Sequence, residues 1–401
     1  MMRNKLVFSI LTSIILGLWS PVSSYETTLG GCMRFLPYDS SSGTRLLRTA
    51  AGTETTSTTG GYIGAAVDYI MLSYAHPFSE TVSIQLDQTY TSDTRSTPRF
   101  GSDINAQRNT SASLFNGQNW ENAKIIYRLP GGCLLSTGIM RLKLTWDYGD
   151  FLSWKDSIME TKFSSLADNA VSDSGLELKK SFEVSGIKLP ATVQIVNGAS
   201  NHLDTNQNIG WLVKLEPEAM GVKWGMTYFN NRRSNGVDDD IRYSLGAEVT
   251  HGPIYFRSEC LASFQANGRS IQQTASVTSK NAYTSAKTSS TDLARTTGYN
   301  AVLKYSLSDQ LNLIANYACV WINNINGGYA FNADDARETY IDFACSLQYY
   351  LDRNIMIMCT LENSNYTRND SLLPTNIKDG GTYAYENLAF NRLILGTRIS
   401  F

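Results

Sequence analysis

The chain has 401 residues with 34 Lys and Arg against 36 Asp and Glu, and a formal net charge of -2 leaves no basic bulk to hold nucleic acid. Only 9 Pro, 22 Tyr and no Pro- or Gly-rich divider exclude a string of linked domains, so a single domain is expected over residues 25–401. Six cysteines, at 32, 133, 260, 319, 345 and 359, never form Cys-x-x-Cys, which excludes a zinc ribbon and a c-type haem attachment; no cofactor or metal is implied, though a disulfide between neighbouring strands is possible.

In chain order, Arg3 and Lys5 precede an apolar run from Leu6 to Trp19, and Pro21-Val22-Ser23-Ser24 offers the small residues a signal peptidase needs. Residues 1–24 are therefore expected to be a cleaved export signal. The run is shorter than the roughly 20 residues of a spanning helix. No second such run follows, so membrane residence would have to be through strands closed into a barrel, which alone satisfy every backbone polar group in lipid.

A first, weakly patterned strand is expected at about 27–38. Short turns then follow at His76-Pro77-Phe78-Ser79, Pro130-Gly131-Gly132, Ser185-Gly186-Ile187, Glu216-Pro217-Glu218, His251-Gly252-Pro253, Leu307-Ser308-Asp309-Gln310 and Asp352-Arg353-Asn354. Between them lie longer polar segments at about 39–60, 91–119, 145–174, 198–208, 231–240, 266–295, 323–337 and 365–383. The clearest strand runs from Ile341 to Leu351, with every odd position apolar and Asp342, Ser346 and Gln348 among the even ones. The last one alternates Leu393, Leu395, Thr397, Ile399 and Phe401 against Arg392, Gly396, Arg398 and Ser400. The pattern predicts an all-β fold, a transmembrane antiparallel β-barrel of about 16 strands with short turns at one end and long loops at the other.

One face of this register collects Asp68, Asp87, Lys124, Arg128, Arg141, Lys143, Glu177, Lys179, Lys214, Glu216, Lys223, Arg242, Glu248, Arg257, Glu259, Lys304, Asp342, Glu362, Arg392 and Arg398, and basic residues outnumber acidic ones. Charges at these positions would line a hydrated interior and bias which ions pass. The opposite face carries Tyr69, Tyr127, Trp211, Trp224, Tyr228, Tyr243, Tyr299, Tyr317, Trp321 and Tyr349, which suit girdles at the membrane interfaces. The segment 145–174 differs from the other long ones by joining Trp146, Tyr148 and Trp154 to Asp147, Asp150 and Asp156.

Taken together, the signal segment, about sixteen strands, eight long loops and terminal Phe401 resemble the general diffusion porins of Gram-negative outer membranes. The resemblance is architectural and leaves the subfamily open. It implies residence in the outer membrane, contact with lipid and lipopolysaccharide, a possible homotrimer, and a terminal signal at Leu395, Ile399 and Phe401 read by the barrel assembly machinery. It also implies that the third loop, with Trp146, Asp147, Tyr148, Asp150, Trp154 and Asp156, folds inward as a constriction facing Arg128, Arg141 and Lys143. The expected function is passive diffusion of small hydrophilic solutes and ions with a weak anion preference. The alternatives are a sheath for a separate electron-transfer cytochrome, an adhesin, or an enzyme barrel of lipase or protease type. Enzymatic activity is not expected, because with three His and no Gly-x-Ser-x-Gly nothing sets a nucleophile beside a base.

Overall fold

The computed structural model describes residues 26–48, 54–91, 117–142, 144, 163, 172–197, 209–233, 238–266, 293–324, 336, 338–369 and 385–401. They form a closed antiparallel barrel of 16 strands. These are β1 (Thr28–Arg48), β2 (Glu54–Pro77), β3 (Val82–Thr91), β4 (Gly117–Leu129), β5 (Cys133–Arg141), β6 (Ser172–Val184), β7 (Ile187–Val196) and β8 (Gly210–Leu215, resumed at Glu218–Ala219). The second half contains β9 (Val222–Arg233), β10 (Asp238–His251), β11 (Ile254–Ala266), β12 (Leu293–Ser306), β13 (Leu311–Asn324), β14 (Glu338–Tyr350), β15 (Ile355–Asn369) and β16 (Tyr385–Ser400). Each strand pairs with the next, and β1 pairs with β16, so no sheet edge is left open. At that seam the Gly31 amide donates to the Phe401 carbonyl at 2.9 Å and the Phe401 amide donates back at 3.0 Å.

The barrel is inside-out relative to a soluble protein because its strands alternate polar inward and apolar outward. Asp342 is 1% exposed while its neighbour Phe343 is 45% exposed, and Glu362 is 4% exposed beside Leu361 at 59%. Leu176, Ile195, Leu245, Leu303 and Leu347 continue an exposed apolar exterior around the wall. An apolar surface of this extent needs a lipid environment rather than water. Tyr228 packs between Trp211, at 4.8 Å, and Tyr243, at 5.1 Å, while Trp224, Tyr317 and Tyr349 are also exposed on the outside. Beyond Leu361 and Leu393 the exterior of β15 and β16 turns polar: Asn363 donates to Asn391 at 2.8 Å and Asn365 to Asn363 at 3.0 Å.

Several turns follow the chemistry of their residues. Ser185-Gly186 joins β6 to β7 with both φ values positive, 53° and 77°, the twist that suits a two-residue hairpin. The expected turn at Glu216-Pro217-Glu218 is instead a break within β8, where Pro217 has no amide to give; pairing resumes at Glu218, opposite Lys188. The reversal falls on Met220-Gly221, with φ of 55° and 73°. The expected loops at 39–60, 231–240 and 365–383 are also too long. β1 and β2 extend to Arg48 and Glu54, β9 and β10 to Arg233 and Asp238, and β15 to Asn369. The first strand, expected at 27–38, is longer because bulges after Arg34, Leu36 and Ser41 interrupt its alternation without ending it. No disulfide joins any of the six cysteines.

Candidate functional site

The polar interior is organised into local charge groups. Glu177 on β6 receives Lys124 at 3.5 Å and Lys179 at 2.9 Å, and Gln194 donates to its other oxygen at 2.8 Å. Glu216, at the break in β8, stands 3.6 Å from both Lys214 and Lys223. Across the barrel Arg392 lies 3.5 Å from Glu362. Asp87 accepts from Ser73, from Gln85 at 2.6 Å and from Asn122 at 2.8 Å. Arg242 stacks over the Phe229 ring at 6.0 Å. Arg34 on β1 and Arg398 on β16 occupy directly opposed positions and are both buried. Charges this far from bulk water are stable only when paired or held by polar groups, which explains the repeated cation–carboxylate contacts.

The chain after β5 leaves the wall and turns inward. Leu142 and Leu144 pack with Val196, Leu212 and Phe229, which face the interior from β7, β8 and β9. Ser244 on β10 donates to the Leu144 carbonyl at 2.8 Å, and Gln194 donates to the Arg141 carbonyl at 2.9 Å. Farther on, Phe163 is fully buried against Leu261, Val320, Ile322, Tyr340 and Tyr366, inward-facing side chains of β11 to β15. Gly298 on β12 makes room for it, since a Cβ there would stand 2.8 Å from Phe163 Cδ2. Three described residues of the segment between β5 and β6 are therefore seated on the inner wall, Leu142 and Leu144 on β7 to β9 and Phe163 on strands far from the ones the segment connects.

Of the charged residues read from the sequence, Lys124, Lys214, Arg242, Arg257, Asp342, Glu362, Arg392 and Arg398 are buried on the inner wall. Lys304 shares the inward face of β12, and Lys223 that of β9. Arg128 stands exposed beside the short turn at Leu129, its amide donating to Thr81 at 2.7 Å, so it belongs to the rim. In β5 the luminal alternation runs through the even positions, because Gly138 pairs with Lys124 and Met140 with Asp173; Arg141 is buried where the chain departs inward rather than by alternation. Lys143 and the loop residues Trp146, Asp147, Tyr148, Asp150, Trp154 and Asp156 lie outside the described residues, as do residues 1–24. Leu395, Ile399 and Phe401 share the outward face of β16. Sequence reading missed Arg34, Asp173 and Glu338, all buried. Extending the period of two backward from Asp342 would have reached Glu338, whereas Arg34 sits at a bulge that hides it.

A closed sixteen-stranded antiparallel barrel with a charged interior and an apolar exterior defines a transmembrane β-barrel, and its structural neighbours are outer-membrane porins. No protein-family model and no curated protein matches the chain. Among solved structures it is similar to the outer membrane channel DcaP of Acinetobacter baumannii, with a TM-score of 0.55 at 11% identity, covering 94% of this chain and 97% of that one. The anion-selective porin of Comamonas acidovorans gives 0.52 at 13% identity, covering 94% and 100%. A loop-deletion form of OmpT, an outer membrane protein of Vibrio cholerae, gives 0.51 at 9% identity, covering 94% and 100%. At these identities the likeness is one of fold.

Proposed function

We propose that the protein is an outer-membrane channel for passive diffusion of small hydrophilic solutes and ions, without enzymatic activity and with a weak anion preference. The observation that carries this reading is the charged, polar inner wall inside an apolar shell, because a hydrated path needs groups that solvate the permeant and an outer face that lipid can cover. The inward course of the chain at Leu142, Leu144 and Phe163 supports a constriction built by segment 145–174. Cations at Arg34, Arg398, Arg242 and Arg257 support the anion bias, as does the shared fold with an anion-selective porin. In this reading residues 1–24 are removed on export, and both ends of the barrel chain lie at the periplasmic rim with the short turns. Leu395, Ile399 and Phe401 would be read by the assembly machinery, and the polar exterior at Asn363 and Asn391 suits contact between copies in a homotrimer.

Single-channel recording of the refolded protein in a planar bilayer under a salt gradient tests the reading. Steady conductance with a reversal potential on the anion side is expected. Lys223→Glu combined with Lys304→Glu, two inward cations less buried than the others, is expected to bring the anion-to-cation permeability ratio to unity or below while the barrel still folds. A folded wild-type barrel that conducts nothing would overturn the channel reading. An unaltered ratio in the double variant would remove the anion assignment.

A further inference from the structure

We propose that Lys180, on the outer wall of β6, binds a lipid headgroup, taking the phosphate of an anionic glycerophospholipid in the leaflet on the side of the short turns. The inference rests on the barrel's residence in a membrane and is independent of what passes through it.

Alternation along β6 sends neighbouring lysines to opposite sides of the wall. Lys179 faces inward and meets Glu177 at 2.9 Å, while Lys180 is exposed on the outward row with Leu176, Leu178, Phe182 and Val184. Leu178 and Phe182, the outward residues on either side of it, are 43% and 45% exposed, so the cation interrupts the apolar shell itself. A cation on the lipid face of a barrel is costly near the midplane and nearly free at the interface. It therefore needs either a counter-ion or a route to the headgroups.

The neighbouring wall supplies no counter-ion. Among the described residues no carboxylate lies on the outward rows of β5, β6, β7 or β8, and Glu183, the next acid along the strand, belongs to the inward row opposite Lys188. The side chain shows the route. Its Nζ stands 5.3 Å from the centre of the Phe182 ring, so the stem runs down the strand toward the hairpin tip at Ser185-Gly186. Beside Lys180 stand Ala191 on β7 and, by continuation of the register, Cys133 on β5, so no large side chain covers the stem from either neighbouring strand. An ammonium carried down an apolar wall toward that end meets the phosphates of the leaflet, with Leu178 and Phe182 left to hold acyl chain. A lipid of net negative charge is favoured over a zwitterionic one, because the ammonium of an ethanolamine headgroup competes for its own phosphate.

The test is native mass spectrometry of the folded barrel in detergent micelles, with phosphatidylglycerol and phosphatidylethanolamine added in equal amounts. Wild-type protein is expected to retain phosphatidylglycerol preferentially, and Lys180→Gln to lower that retention about fivefold while Lys180→Arg keeps it. Should Lys180→Gln fail to fold, Lys180→Leu, which matches its outward neighbours, serves in its place. Equal retention of the two lipids by wild-type protein, or undiminished phosphatidylglycerol on Lys180→Gln, would overturn the proposal. Displacement of the lipid by inorganic phosphate would make the ligand a free anion and overturn it as well. So would a changed oligomeric state in Lys180→Gln with lipid retention unaltered, which would assign the lysine to a carboxylate of a second copy. None of these outcomes depends on conductance, so the channel reading stands or falls separately.

Discussion

Gly31→Val is expected to abolish the heat-modifiable, fast-migrating form of the barrel on gels run without boiling. Gly31 lies on β1 at the closing seam, and a Cβ there would meet the Met71 carbonyl oxygen and stand 2.7 Å from Cζ of Phe401. Two of the ladder hydrogen bonds that close the barrel run between Gly31 and Phe401. Overpacking ordinarily costs about 1–3 kcal/mol, and the cost is at the upper end where the obstructing atom is backbone, because a carbonyl in a ladder cannot rotate away. Phe401→Ala removes the ring but not the carbonyl, so it is expected to relieve Gly31→Val only in part. A Gly31→Val protein that stays folded to the wild-type temperature would sink this account of the seam.

Phe163→Ala is expected to raise single-channel conductance and to speed the entry of larger solutes in liposome swelling. Phe163 is fully buried against Leu261, Val320, Ile322, Tyr340 and Tyr366, so its removal costs about 3–5 kcal/mol of packing on the inner wall. That energy fastens the segment between β5 and β6 to the opposite wall and not one strand to another. The barrel should therefore keep its folded migration while the proposed constriction loosens. Gly298→Leu reaches the same end from the other side, since it fills the space the ring occupies. Wild-type conductance in both variants would mean that the segment does not narrow the path.

The strands legible in the sequence were those whose two faces differ in polarity along their whole length. β14 is the clearest, because Asp342, Ser346 and Gln348 face inward while Phe343, Cys345 and Leu347 face outward. The upper parts of β1 and β2 were not legible, because Ser42, Thr44, Thr56 and Thr58 are exposed small polar residues with no apolar partner face to betray a period. Pro217 misled for another reason. A proline usually marks a turn, yet here it marks the one place where β8 gives up a ladder bond, and the true reversal at Met220-Gly221 carries only a single glycine as its signal. The inner-wall charges followed from alternation almost everywhere. Phe163 did not, because its position depends on contacts with strands encoded a hundred residues later.

The pairing of β1 with β16 bears on how the molecule is made. The two strands that close the ring lie at opposite ends of the polypeptide, so the last set of hydrogen bonds is the least local in the molecule. The entropy of joining such distant segments is spent before any of those bonds forms, and chains dominated by such contacts fold slowly. Until that moment β1 and β16 both present unpaired edges, which lipid does not tolerate and which invite pairing with another chain. The late, almost complete species is thus the vulnerable one, and its lifetime, more than the strength of any individual contact, sets how much barrel is recovered in refolding.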